Sequence, residues 1–124
     1  MTPLEIRRIA QRFREDDAHE RQALLRLHRT ASAQLRHSVE AASSFPEVSR
    51  VWTWGSILHP ERFRVYSDID ICIEGVEDPI MWSSIESRLL EIVTFPLDLV
   101  RWETLMDEDR RSIHRNGVLL YESD

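Results

Sequence analysis

The sequence predicts an α/β (α+β) domain: a small mixed β-sheet packed by helices, with a long helical segment at its amino end. Three observations predict it. Apolar residues recur at spacings of three and four between Pro3 and Ser43. After Pro46 the period changes to two, through Val48, Arg50, Trp52 and Trp54. Beyond that, short apolar runs alternate with two further helical stretches. A chain of 124 residues reads as one domain, 1–124, with a helical segment over 1–43, a core over 48–122 and little room for a separate substrate-binding domain.

Pro3 suits a first helical turn, and Ile6, Ile9 and Phe13 begin an apolar stripe that Leu24, Leu27, Ala31, Leu35 and Val39 continue. Asp16-Asp17 predicts a kink or interruption between the two halves. So long an amphipathic helix either lies wholly on its own sheet or meets another chain with part of its stripe. Pro46 ends the segment by pushing its predecessor out of helical geometry. In the first strand Val48, Arg50, Trp52 and Trp54 face one way and Ser49, Val51 and Thr53 the other, and Gly55-Ser56 closes it. Residues 57–67 connect to a second strand, Asp68 to Glu74, closed by Gly75. Asp78 as N-cap and Pro79 in the first turn open a helix of about fourteen residues carrying Ile80, Ile85, Leu89 and Ile92. Leu97 to Arg101 reads as a third strand, Glu103 to about Asn116 as a helix with Gly117 as C-cap, and Val118 to Tyr121 as a short closing strand or strand-like tail.

Composition narrows the function classes. A formal charge of −6 provides no global field to attract nucleic acid, so direct nucleic-acid binding is not expected. All 16 basic residues are Arg; phosphate recognition or genome base composition accounts for a chain without Lys. The single cysteine, Cys72, lies between Ile71 and Ile73 and excludes an intramolecular disulfide and a Cys-based zinc site. No apolar run reaches the ~20 residues that span a bilayer. With no signal-peptide pattern at the start, a cytoplasmic protein with no membrane partner is expected.

The chemistry concentrates in three carboxylates and one turn. Asp68 and Asp70 share a strand face, ~6.6 Å apart along the chain, while Ile69, Ile71 and Ile73 take the other face. Two carboxylates side by side repel unless a cation lies between them, and Mg²⁺ binds one or two carboxylates together with substrate phosphate oxygens. Asp98, between Leu97 and Leu99, repeats the statement on a second strand; an acid among apolar neighbours is costly unless paired or metal-bound. Asp107-Glu108-Asp109 has the same spacing without apolar framing and reads as solvated surface. Gly55-Ser56 permits close approach of backbone N–H groups to a phosphate and adds a hydroxyl donor, helped by a helix dipole if a helix starts there. Trp54 either packs as an ordinary aromatic residue or flanks a base; Trp52, Trp82 and Trp102 read as core or interface.

Gly55-Ser56, eleven intervening residues, Asp68-Ile69-Asp70 and the later Asp98 resemble the signature of the DNA polymerase β-type nucleotidyltransferase superfamily, and most of all its minimal nucleotidyltransferase (MNT) group. The tail Ile113-His114-Arg115-Asn116-Gly117-Val118-Leu119-Leu120-Tyr121-Glu122 is similar to the usual end of such domains, and the likeness spans roughly 48–122. It implies a nucleotidyltransferase-like fold and a catalytic core. Gly55, Ser56 and Ser67 would hold the triphosphate, and Asp68, Asp70 and Asp98 would be catalytic residues binding two Mg²⁺ ions, with Asp98 helping to activate the attacking hydroxyl. Where many members carry a small, basic stretch with a second glycine, this chain has Ile57-Leu58-His59-Pro60; Arg62 and Arg64 are the candidates to replace those phosphate contacts.

The reaction so implied transfers a nucleoside monophosphate, AMP from ATP, to a hydroxyl on a partner protein. The chain resembles the antitoxin half of MNT–HEPN toxin–antitoxin pairs, in which a tyrosine of the toxin RNase is adenylylated. The long helix would then be a docking element for a HEPN-like subunit or the contact of a homo-oligomer. Two other readings stand beside it: a catalytically weak nucleotide-binding module that regulates a partner by binding, and a nucleotidyltransferase acting on small molecules of the antibiotic type.

Overall fold

A computed structural model describes residues 1–124. Four strands make one mixed sheet: β1 (Arg50–Trp54), β2 (Ile69–Glu74), β3 (Leu97–Arg101) and β4 (Val118–Glu122), in the spatial order β3-β2-β1-β4. β1 runs antiparallel to β2 and β4, whereas β2 and β3 are parallel. A parallel pair needs a crossover, and α2 (Pro79–Ile92) supplies it, capped by Asp78 as its sequence predicts. α1 (Pro3–Ser43) precedes the sheet, and α3 (Asp107–Asn116) leads into β4.

The sheet is covered on both faces. Ile69, Ile71 and Ile73 of β2, with Val51 of β1, meet Ala31 and Leu35 of α1 and Ile85 and Leu89 of α2, all buried. On the opposite face Trp52 and Cys72 pack with Ile113 of α3, and Trp102 stacks on Trp52 at 5.8 Å. Burial beside Ile113 and Trp52, with Glu103 and Glu74 nearby, pushes the Cys72 thiol up to about 12, so it is an inert packing group. β2 is therefore buried on both sides, its isoleucines on one face and Cys72 on the face that also carries Asp70.

α1 is one unbroken helix of 41 residues, not two halves. Between Pro3 and Pro46 the chain has neither Gly nor Pro, and two exposed aspartates carry only a modest helical penalty. Thr2 and Glu5 form a capping box at its start. At 1.5 Å per residue it is ~60 Å long, far longer than five-residue strands can cover. Only its second half packs. Ala31, Leu35, Ser38 and Ala42 are buried, and Gln34 exchanges two hydrogen bonds with Thr94 (2.8 and 2.9 Å). His28 Nε2 lies 2.6 Å from the Ile57 carbonyl oxygen. Ile6, Ile9 and Phe13 remain 53%, 42% and 65% exposed, so the helix does not lie wholly on its own sheet.

Other boundaries move for identifiable reasons. β1 starts at Arg50, so Val48 is outside the alternation and packs with Val51 rather than on the Trp52 face. β2 starts at Ile69, one residue after Asp68. The helix predicted from Glu103 starts at Asp107. Trp102–Thr104 form a 3₁₀ turn, Leu105 and Met106 are extended, and the Glu103 carboxylate accepts the Gly75 N–H. Gly117 does cap α3, but with φ −92° rather than in the left-handed region. It is needed for space: a Cβ there would lie 2.6 Å from the Ile113 carbonyl oxygen and 2.8 Å from that of Thr53. No helix is long and apolar enough to cross a membrane.

Truncating Leu89 of α2, fully buried in the main core, should cost about 2–5 kcal/mol. Phe13→Ser on the exposed half of α1 should stay within about 0.5 kcal/mol. Urea unfolding of the two variants beside the parent measures both.

Candidate active site

Strand register assembles the site. In the parallel ladder Asp70 stands opposite Asp98, and in the antiparallel ladder it stands opposite Trp54. Asp70 is thus flanked on the central strand by an acid on one side and by the residue preceding Gly55 on the other. Asp68 lies just before β2 and is exposed, as is Asp98 on edge strand β3. The Thr53 hydroxyl donates to the Asp70 carbonyl oxygen at 2.7 Å within the core, pinning the backbone that carries the carboxylate.

Gly55 turns the chain with φ +84° directly against that carboxylate, where a Cβ would stand 2.2 Å from Asp70 Oδ2. Both facts demand glycine: the left-handed backbone is strained for side-chain-bearing residues, and the acid already fills the space. Ser56 follows in a 3₁₀ turn, Gly55–Leu58. That turn is four residues long, so the dipole of a full helix is not available to an anion there.

The electrostatics are one-sided. Asp70 is only 9% exposed, and its carboxyl is pushed up to about 7, first by desolvation and then by the charges of Asp98 and Asp68. None of the chain's five ion pairs includes Asp68, Asp70 or Asp98. A cluster of hard oxygen donors with excess negative charge and no arginine among them fits a divalent cation. No three acidic, histidine or cysteine side chains stand as a ready-made ligand set. A hard cation at this site would therefore need water or substrate oxygens to complete its shell, the habit of Mg²⁺.

The connection 57–67 carries the remaining predicted residues. Ser67 closes a turn with Arg64: its hydroxyl accepts the Arg64 N–H at 2.8 Å, and its own N–H donates to the Arg64 carbonyl at 3.0 Å. This fixes the entry to Asp68. The Arg64 guanidinium donates to the carbonyls of Glu61 and Phe63, both at 3.0 Å. Arg62 Nε lies 4.0 Å from Glu61 on the surface. Neither arginine hydrogen bonds to Gly55, Ser56 or the carboxylates.

Beside Gly55 opens a cavity of about 290 Å³ that sequence reasoning missed. Trp54, Val100, Leu105 and Ile113 give it apolar walls, and Asp109, Ser112 and Asn116 line it from α3. Asp109 belongs to an acidic triplet that reads as plain surface. Its spacing to Ser112 and Asn116, three and then four residues, was the available signal for a shared helix face, but nothing local says that this face looks onto Gly55.

The sequence matches no protein-family model and no curated protein. Solved structures do match. The toxin–antitoxin complex MntA–HepT has a chain similar to this one with a TM-score of 0.56, at 16% identity over 74% of this chain and 73% of that one. The tri-AMPylated Shewanella oneidensis HEPN toxin in complex with MNT antitoxin gives 0.56 at 18% identity, covering 75% and 73%. A toxin–antitoxin with AMP-PNP gives 0.53 at 19%, covering 78% and 74%. At these identities the likeness is one of fold, and the fold is that of the MNT nucleotidyltransferases.

Proposed function

We propose that this chain is a nucleotidyltransferase that transfers AMP from ATP to a hydroxyl on a partner protein, in the manner of an MNT antitoxin acting on a HEPN-type toxin. The observation that carries it is the Asp70 carboxylate, buried between Asp98 and Gly55 with no basic partner. Two complexes of like fold, the tri-AMPylated HEPN toxin with MNT antitoxin and a toxin–antitoxin with AMP-PNP, support the choice of partner and nucleotide.

Each residue then has a task. Gly55 brings its backbone close to the phosphates, and Ser56 and Ser67 offer hydroxyls. Arg62, paired only with Glu61 at the surface, is the more available phosphate contact; Arg64 holds its own loop. Asp68, Asp70 and Asp98 would hold Mg²⁺, two ions in this reading, which when bound neutralises phosphate charge. The acceptor oxygen bonds to the α-phosphorus, the bond from that phosphorus to the bridging oxygen breaks, and pyrophosphate leaves with the electron pair. Asp98, exposed at the sheet edge, would take the acceptor's proton. The exposed stripe Ile6, Ile9 and Phe13 of α1 serves as the docking element.

Incubation with α-labelled ATP, Mg²⁺ and a HEPN-like partner should label the partner, and Asp68→Asn/Asp70→Asn should abolish labelling. A double variant that neutralises the partner as well as the parent does, without labelling, would overturn transfer in favour of binding alone. Gly55→Ala should weaken Mg²⁺–ATP binding at least tenfold in calorimetry, because the methyl displaces the Asp70 carboxylate.

The raised Asp70 carboxyl carries a signed pH dependence. Its folded value of about 7 exceeds the ordinary 3.8, so between those values the folded state binds more protons than the unfolded one. The metal-free protein should lose stability as pH rises from about 4 to about 7. Asp70→Asn should exceed the parent at pH 8, by at most about 4 kcal/mol. Thermal unfolding at pH 5 and pH 8 without divalent cations tests the sign.

A further inference from the structure

We infer that the cavity beside Gly55 is a nucleobase subsite that selects bases carrying an exocyclic amino group. This deepens the nucleotidyltransferase reading and rests on it. The cavity and the acid cluster share Gly55: one side meets the Asp70 carboxylate, and the other lines the cavity. A nucleotide whose phosphates lie at Gly55-Ser56 therefore has the cavity within reach of its nucleoside end. At about 290 Å³ it sits at the low end of small-molecule sites, suited to part of a ligand.

Polarity fixes which part. Asp109 shares its helical turn with Asp107 and Glu108, and that negative charge repels a triphosphate. At Asp68, Asp70 and Asp98 the same repulsion is offset by the Mg²⁺ of the proposed function, so the phosphates point towards Gly55-Ser56 and the base towards α3. Trp54, Val100, Leu105 and Ile113 offer apolar surface to the faces of a flat ring. Asp109, Ser112 and Asn116 lie on one side of α3 and meet its edge. An ionised carboxylate only accepts hydrogen bonds, and Asp109 takes part in none of the chain's ion pairs. It therefore calls for a donor, while the Asn116 amide and Ser112 hydroxyl can give and accept. Adenine, guanine and cytosine carry an exocyclic amino donor; hypoxanthine and uracil offer only a ring N–H beside a carbonyl oxygen, which a carboxylate repels. An acceptor tyrosine would have only its reacting hydroxyl to give Asp109, and that group is needed at the carboxylates.

The test titrates the full chain in Mg²⁺ with ATP, GTP, ITP, UTP and inorganic tripolyphosphate. ATP or GTP should bind at least tenfold more tightly than ITP and UTP, since a site built around a donor rejects analogues lacking it. Asp109→Ala should bring the four within about threefold of one another. Ser112→Trp, an exposed position whose indole would fill the cavity, should weaken the favoured nucleotide at least tenfold and leave tripolyphosphate unchanged. Equal affinities for all four nucleotides, or a silent Ser112→Trp, overturns the inference. Ser112→Trp that binds ATP normally but fails to label the partner also overturns it, by making the cavity an acceptor site. If nucleotides bind, and Asp68→Asn/Asp70→Asn removes that binding while the cavity variants do nothing, the subsite fails and the proposed function stands. Absence of any nucleotide or tripolyphosphate binding removes both.

Discussion

A carboxylate held inside a protein next to two others, with no positive charge to balance it, is the constraint around which this molecule is organised. Asp70 occupies the central strand, so it cannot turn away to water as a surface acid could. Its position requires a glycine at 55, because any larger residue would occupy the space of the carboxylate. It also requires a firm backbone, which the Thr53 hydroxyl and the two flanking ladders supply. The free energy to hold an unfavourable charge comes from the other side of the same strand, where three isoleucines are fully buried.

That division of labour explains the two-sided sheet. α1 and α2 seal the isoleucine face and make it the main core. α3 covers only part of the opposite face, stacked over Trp52 and Cys72 through Ile113, and leaves open the ground around Gly55 and Asp98. The same short helix that completes the second core thus also lines the cavity beside the carboxylates. Stability and access are served by opposite ends of one face.

Solved structures share this fold at 16–19% identity. What such a likeness preserves is backbone geometry, the order and direction of strands and helices, rather than particular side chains. Few positions are fixed by that geometry, so side chains elsewhere are free to diverge. The exposed half of α1 is the most conspicuous departure from a compact body, since its apolar residues gain nothing from the sheet.

Local chemistry alone determined a good deal. Asp78-Pro79 announced α2, and the structure begins that helix at Pro79, because a cap and a fixed φ act over a few neighbouring residues. The β3 span Leu97–Arg101 was legible from its apolar run, and so was the mixed sheet with its long leading helix. Tertiary structure decided what depends on distant partners. Asp16-Asp17 left α1 intact because nothing packs there to exploit a break. Glu103 was drawn out of α3 by the Gly75 N–H, 28 residues away. Pairing across strands brought Asp98 beside Asp70, and packing of α3 aimed Asp109, Ser112 and Asn116 at Gly55. Arg64 was claimed by carbonyls of its own loop rather than by the carboxylate site. Propensity and capping are settled within one helical turn or strand; the company a side chain keeps across the fold is settled only when the sheet closes.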